Sequence, residues 1–222
     1  TASNEARPGD PYEMKPVAEN GVFRPGGDGT TTCVVADRWG NMVAATPSAN
    51  VDRSRTDGGE AGVTYGNRLK SLNTTPGHPN CIQPGKRPRI TLTPTLVLKD
   101  KNPAFALSVA GGDRQDQAML NLLLNAIDFD MPPAKAVTAP RFCTFHYQNS
   151  FDPNPDRSQT FTNAGALELS SAIPEKVRDD LQSRGHPVEI KDGPIATPVM
   201  IKIEDGKILA AGDPDANRHA AG

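Results

Sequence analysis

The strongest pattern of apolar and polar positions begins at Thr30. A β-branched run, Thr30-Thr31-Thr32-Cys33-Val34-Val35-Ala36, meets the turn residues Asp37-Arg38-Trp39-Gly40-Asn41 and resumes as Met42-Val43-Ala44-Ala45-Thr46. β-Branched side chains fit a pleated, half-buried surface, and a polar break containing glycine between two such runs predicts a hairpin. A second pair, Thr93 to Leu98 and Phe105 to Val109, is joined by Lys99-Asp100-Lys101-Asn102-Pro103. From Ala118 to Ile127 the pattern becomes a run of Leu, Met and Ala that predicts an apolar helix. Asp113 stands upstream as its expected N-cap, and Pro132-Pro133 close the region. Short helices are expected over 133–137 and 174–183, and strands over 188–190, 198–203 and 208–211. Strands grouped around a few helices predict a layered α+β domain.

Two stretches lack such periodicity. Residues 1–29 are rich in Pro, Gly and charge, ending in Arg24-Pro25-Gly26-Gly27-Asp28-Gly29, and read as an extended arm or as the end of an upstream segment. Residues 47–90 carry many glycines and prolines, and a loop of that length in a compact domain is usually functional. With 222 residues the chain can bury a sizeable core. A formal net charge of -2 gives no footprint for nucleic acid, and no apolar run is long enough to span a membrane. Three cysteines, Cys33, Cys81 and Cys143, make no disulfide framework, since only one pair could form. The 21 prolines and 20 glycines, with only 36% hydrophobic residues, predict extensive loops or a surface shaped for cover by another chain.

Several chemistries are excluded by their missing motifs: there is no Gly-x-Ser-x-Gly elbow, no Walker loop and no His-Glu-x-x-His pair. Cys143 and His146 have a metal-like spacing without a second ligand pair, which favours a buried thiol and a surface imidazole. Two features point to acyl chemistry. Gly29 leads directly into Thr30 at a strand start. A hydroxyl needs a neighbouring base to become a nucleophile, and a free α-amino group on the same residue supplies one once the preceding peptide bond is cut. Ala110-Gly111-Gly112-Asp113 lies between a strand and a helix, where glycine amides and a helix N-terminus can stabilise an oxyanion. Taken singly, each feature also fits an ordinary strand start and an ordinary tight turn.

The order of the segments adds to this. Thr30-Thr31-Thr32-Cys33-Val34-Val35-Ala36-Asp37 with Gly40-Asn41 resembles the start of the small subunit of gamma-glutamyltranspeptidases. Pro84-Gly85-Lys86-Arg87-Pro88 with Pro94-Thr95, Ala110-Gly111-Gly112-Asp113, Ile127 to Met131, Ala139-Pro140-Arg141 and Gly212-Asp213-Pro214 resemble further blocks of that superfamily, in the same order. The resemblance implies a four-layer αββα sandwich of the N-terminal-nucleophile hydrolases, with this chain as its C-terminal half and residues 30–222 as the small-subunit catalytic domain. It implies Thr30 as nucleophile, Gly111 and Gly112 as oxyanion-hole amides, and Asn50 and Ser48 as residues that position the hydroxyl. It also implies autoproteolytic maturation, a large N-terminal subunit from the same precursor as partner, no cofactor or metal, and a periplasmic or secreted location, with the cytoplasm left open.

Departures from the family pattern bear on the substrate. Thr32 stands where His is usual, and Ser48 where Thr is usual. Ser71 stands where the acid that binds a substrate α-amino group is expected, Arg89 and Ile90 replace paired serines, and Arg68 replaces a neutral polar residue. A pocket lined by Arg68, Arg89 and Ser71 suits a carboxylate or a neutral amide better than an ammonium group. The expected activity is therefore hydrolysis of a small amide, gamma-glutamyl-like or otherwise acylated. Acyl transfer to an amine, or an inactive member that acts as a binding protein, are the alternatives. Thr1 is a second candidate for a processed N-terminus, although Ala2-Ser3-Asn4-Glu5-Ala6 is no strand.

Overall fold

A computed structural model describes residues 9–10, 15–16, 29–48, 68–150, 156, 159, 161 and 163–221. The chain opens with a short antiparallel ladder, β1 (Gly9–Asp10) against β2 (Lys15–Pro16). The predicted first hairpin follows as β3 (Cys33–Ala36) and β4 (Met42–Ala45), paired antiparallel with Val35 opposite Val43. Its turn is tied by Asp37, whose Oδ1 accepts the amides of Trp39 and Asn41, each at 2.9 Å. The Asn41 side-chain amide, with these backbone bonds behind it, holds the Asp37 carboxyl below the usual carboxylate range.

The second hairpin is β5 (Thr95–Lys99) and β6 (Asn102–Ala110). Asp100 and Lys101, at φ 51° and 68°, make its two-residue turn, both in the left-handed region that such turns require. β6 pairs on its other side with β10 (Thr197–Glu204), which pairs with β11 (Lys207–Gly212), giving a four-stranded antiparallel sheet ordered β11-β10-β6-β5. Residues Ala104–Ala110 of β6 are all buried, because the strand is covered on both faces.

One face carries α1 (Gln115–Ile127) and α2 (Pro133–Thr138), which pack on β6, β10 and β11 around Leu107, Val109, Ala118, Leu122, Val137 and Met200. Leu107, Leu122 and Met200 are fully buried, each contributing about 1.5–3 kcal/mol through removal of apolar surface from water. The other face carries the β3–β4 hairpin, which contacts β5, β6 and β10. The described residues thus supply a helix layer and two facing sheets, the larger part of the αββα sandwich predicted from the sequence.

A third sheet, ordered β7-β8-β9, joins β7 (Phe142–Thr144), β8 (Leu167–Ser170) and β9 (Val188–Lys191) beside α1. The parallel β8–β9 step is bridged by α3 (Glu175–Ser183), as a parallel connection demands. The predicted helices and tail strands are found within a few residues of their expected limits, whereas β7 and β8 were not predicted. Among the described residues no helix is long and apolar enough to cross a membrane.

Candidate active site

Thr30 is half-buried and enters β3 from one end of the hairpin. The Thr31 amide donates to Pro47 O at 3.0 Å, so this entry runs beside the Pro47–Ser48 strand exit. Thr32 accepts a hydrogen bond from Arg218 Nε at 3.0 Å. The exit is fixed to β6 as well. Ser108 Oγ donates to Ala45 O at 2.9 Å and lies 2.7 Å from Thr46 Oγ1. Ser108 has a single hydroxyl proton, spent on Ala45, so Thr46 is the donor to Ser108.

Two residues beyond Ser108, β6 ends in the glycine turn. Gly111 (φ 155°) and Gly112 (φ 60°) adopt conformations that side chains disfavour. A Cβ on Gly111 would stand 2.8 Å from Ala196 Cβ, so this turn is pressed against the start of β10. Asp113 does not cap α1 as predicted. The segment Gly112–Arg114 forms a 3₁₀ turn ahead of the helix, and the Asp113 carboxylate instead accepts the Ser150 amide at 2.9 Å and the Ser150 hydroxyl. Gln115, fully buried, satisfies its surroundings in one amide orientation. Its NH2 donates to Val109 O (2.8 Å) and Thr91 O (2.9 Å), and its carbonyl accepts the Gly112 amide at 3.2 Å.

Of the predicted substrate-binding residues, Arg89 reaches the residue that follows this turn, and Ser71 and Arg68 are linked to Arg89 in series. Arg68 Nε donates to Ser48 O at 3.4 Å, and Arg89 Nη2 lies 3.7 Å from Asp113 Oδ1. Burial pushes the Arg68 guanidinium below its ordinary value, and the nearby Asp113 carboxylate opposes that shift. Ser71 is buried, and its hydroxyl is shared between Arg68 O (2.6 Å) and Arg89 O (2.9 Å), which fastens the two arginine-bearing segments together. Asn80 donates to the Ser71 carbonyl from below. Ser48, Arg68, Ser71 and Arg89 therefore form one connected run that ends at Asp113, the residue after Gly111 and Gly112. Asn50, expected to position the Thr30 hydroxyl, lies outside the described residues.

Gln115 and Thr91 beside this run, and Thr93 two positions on, went unnoticed in the sequence. Gln115 follows Gly112 by three positions, the spacing at which a first-turn side chain meets a preceding amide. The hydroxyls of Thr91 and Thr93 are buried without a hydrogen-bond partner among the described residues, two and four positions beyond Arg89. Their signal was the Pro84 to Thr95 block itself. Cys143 is buried with its thiol pushed up to about 11 by burial and by the Glu168 charge, while His146 is exposed and accepts the Gly165 amide. All three cysteines are free thiols.

Facing sheets and a helix layer, with β6 tied to the hairpin through Ser108 just before its glycine turn, are the fold of an N-terminal-nucleophile hydrolase. A sequence model described as Gamma-glutamyltranspeptidase matches residues 2–222, and the chain belongs to that family. It is 28% identical over 225 residues to the glutathione hydrolase proenzyme of Escherichia coli (strain K12), covering 96% of this chain and 34% of that protein. It is 34% identical over 160 residues to the acylase ACY 1 proenzyme of Pseudomonas sp. (strain SE83), covering 72% of this chain and 25% of that protein. A mutant gamma-glutamyltranspeptidase from Helicobacter pylori superposes with a TM-score of 0.65 at 27% identity, covering 83% of this chain and 99% of that one. The chain thus spans about a third or less of the proenzymes it resembles. Those relatives are named a glutathione hydrolase and an acylase, and each is named a proenzyme.

Proposed function

We propose that residues 30–222 are the catalytic small-subunit part of an amidohydrolase in which Thr30 is the nucleophile, exposed by self-cleavage of the Gly29–Thr30 bond. In that cleavage the Thr30 hydroxyl attacks the Gly29 carbonyl, the C–N bond breaks, and water hydrolyses the resulting ester to leave Thr30 with a free α-amino group. That amine then takes the hydroxyl proton as Thr30 attacks a substrate amide. The oxyanion develops against the Gly111–Gly112 turn, where the Gly112 amide exchanges its long bond to the Gln115 carbonyl for the oxyanion, the leaving amine carries the proton away, and water releases the acyl group. Ser48 and Asn50 position the hydroxyl. Arg68 and Arg89, with the Thr91 hydroxyl, line the acyl pocket, and Ser71 holds them there. The steps use only a hydroxyl, an amine, backbone amides and water.

The observation that carries this reading is the continuous run of contacts from Thr31 through Pro47–Ser48, Arg68, Ser71 and Arg89 to Asp113. It joins the residue beside the proposed nucleophile to the turn proposed to receive the oxyanion. An amine in place of water would take the same acyl group, so acyl transfer is the second reading, motivated by the family itself. The test is turnover of gamma-glutamyl- and glutaryl-p-nitroanilide by the full-length precursor. Activity is expected with at least one, lost by about a thousandfold or more in Thr30→Ala. Activity that survives this substitution would overturn the assignment of Thr30. Absence of both cleavage and turnover would leave a binding protein.

A further inference from the structure

We propose that the Arg114–Glu168 ion pair is a positioning device that aims the Gly111–Gly112 turn, so that the three-stranded sheet serves the oxyanion site as its support. This rests on the role proposed for that turn.

Four near-consecutive side chains fix the turn to its surroundings. Gln115 ties it inward to Val109 and Thr91. The other three reach outward to the region around the third sheet: Asp113 to Ser150, Arg114 to Glu168 on β8, and Gln117 to Thr144 on β7. The Gln117 amide makes a matched pair with the Thr144 backbone, donating to its carbonyl at 3.1 Å and accepting from its amide at 2.7 Å. Of these three outward contacts, the one from Arg114 joins opposite charges. Its Nε lies 2.6 Å from Glu168 Oε2, and its Nη2 donates to Oε1 at 3.1 Å, with the guanidinium carbon 5.9 Å from the Phe145 ring centre. The Nη2 hydrogen bond joins the two groups and the Nε–Oε2 approach is a charge contact without a hydrogen bond of its own, so the pair is held by one directed bond and by the attraction of opposite charges.

The lever is short. The Arg114 amide donates to Gly111 O at 3.2 Å, so one residue is held by Glu168 at its side-chain end and holds the turn at its backbone end. Glu168 has a side-chain exposure of 9%, and a carboxylate buried to that extent keeps its partner in place because losing it strands a charge. Lys191, at 3.8 Å from Glu168 Oε1, is a weaker second cation and does not touch the turn.

The experiment uses the full-length precursor with Glu168→Gln, Glu168→Leu and Arg114→Gln, and Lys191→Met as the control. Hydrogen exchange of the peptide covering residues 111–117 reads the turn directly, whether or not a substrate is known. Steady-state kinetics with whichever p-nitroanilide the unmodified enzyme turns over reads the consequence. Exchange over 111–117 is expected to quicken by about tenfold or more in Glu168→Leu and Arg114→Gln, less in Glu168→Gln, and not in Lys191→Met. The kcat should fall by about tenfold to a hundredfold while KM stays within about twofold, the pattern of a misplaced transition-state contact. Exchange and kcat unchanged, or a loss of thermal stability alone, would overturn the proposal. If the unmodified protein turns over neither substrate, the amidohydrolase reading fails and the exchange data alone decide whether the clamp exists.

Discussion

The β3–β4 hairpin and the turn that ends β6 belong to facing sheets, and they are built in opposite ways. Around the turn, Gly111 is pressed on Ala196, and Asp113, Arg114, Gln115 and Gln117 each hold a different neighbour. The support continues a layer outward. Arg141 Nε donates to Ile195 O at 2.9 Å, next to the alanine that meets Gly111, and its Nη2 lies 2.5 Å from Asp213 Oδ2 with both side chains 4% exposed. The hairpin has one packed face and one bare one. Val35 and Val43, opposite each other, are 52% and 56% exposed, and Cys33 beside them is exposed too. The group proposed to stabilise charge is thus held by contacts within this chain, while the strand proposed to carry the nucleophile keeps an apolar face that the described residues leave open.

That contrast can be broken at several points. Asp213→Ala strands the Arg141 charge in the interior, and chemical denaturation should show a loss of about 3–5 kcal/mol. A loss below about 1 kcal/mol would mean that the pair supports nothing. Gly111→Ala should cost about 1–3 kcal/mol, since it adds a strained backbone conformation to a 2.8 Å clash with Ala196, and should lower kcat along with stability. Unchanged kcat would detach the turn from the chemistry. Thiol labelling compares the two regions side by side. Cys33 should label first, and Cys143 at least about a hundredfold more slowly at pH 8, because a thiol pushed up to about 11 holds little thiolate there. Cys143 labelling should climb only as pH rises towards that value, and equal rates would show the clamp region to be open. The smallest effect is expected on the bare face, where Val35→Thr or Val43→Thr in this chain should alter stability by no more than about 0.5 kcal/mol. A much larger loss in the full-length precursor would reveal that the face is covered there.

How much of this the sequence discloses depends on how local the forces are. The hairpins were legible because β-branched runs and turn residues act over a few positions, and Asp37 closes its own turn within four residues. The strands β7 and β8 were not. They are three and four residues long, and they pair only with each other and with β9, far along the chain. Asp113 shows the same limit: its local context predicts a helix cap, but Ser150, 37 positions away, takes its carboxylate. The blocks Ala139-Pro140-Arg141 and Gly212-Asp213-Pro214 were visible as separate motifs, and only the fold joins them through Arg141 and Asp213. Ser71 looked like a pocket residue, and its hydroxyl proved to tie two backbone segments. Arg68 and Arg89, by contrast, were picked out as charges in an unusual place, and Arg68 reaches Ser48 O while Arg89 lies 3.7 Å from Asp113.

The most direct test of the account is the intact mass and N-terminal sequence of the full-length precursor after purification and prolonged incubation. The account predicts a new N-terminus at Thr30, formed without added protease and absent from Thr30→Ala. A precursor that stays whole, or one that is cut so that Thr1 alone becomes the new N-terminus, would contradict it.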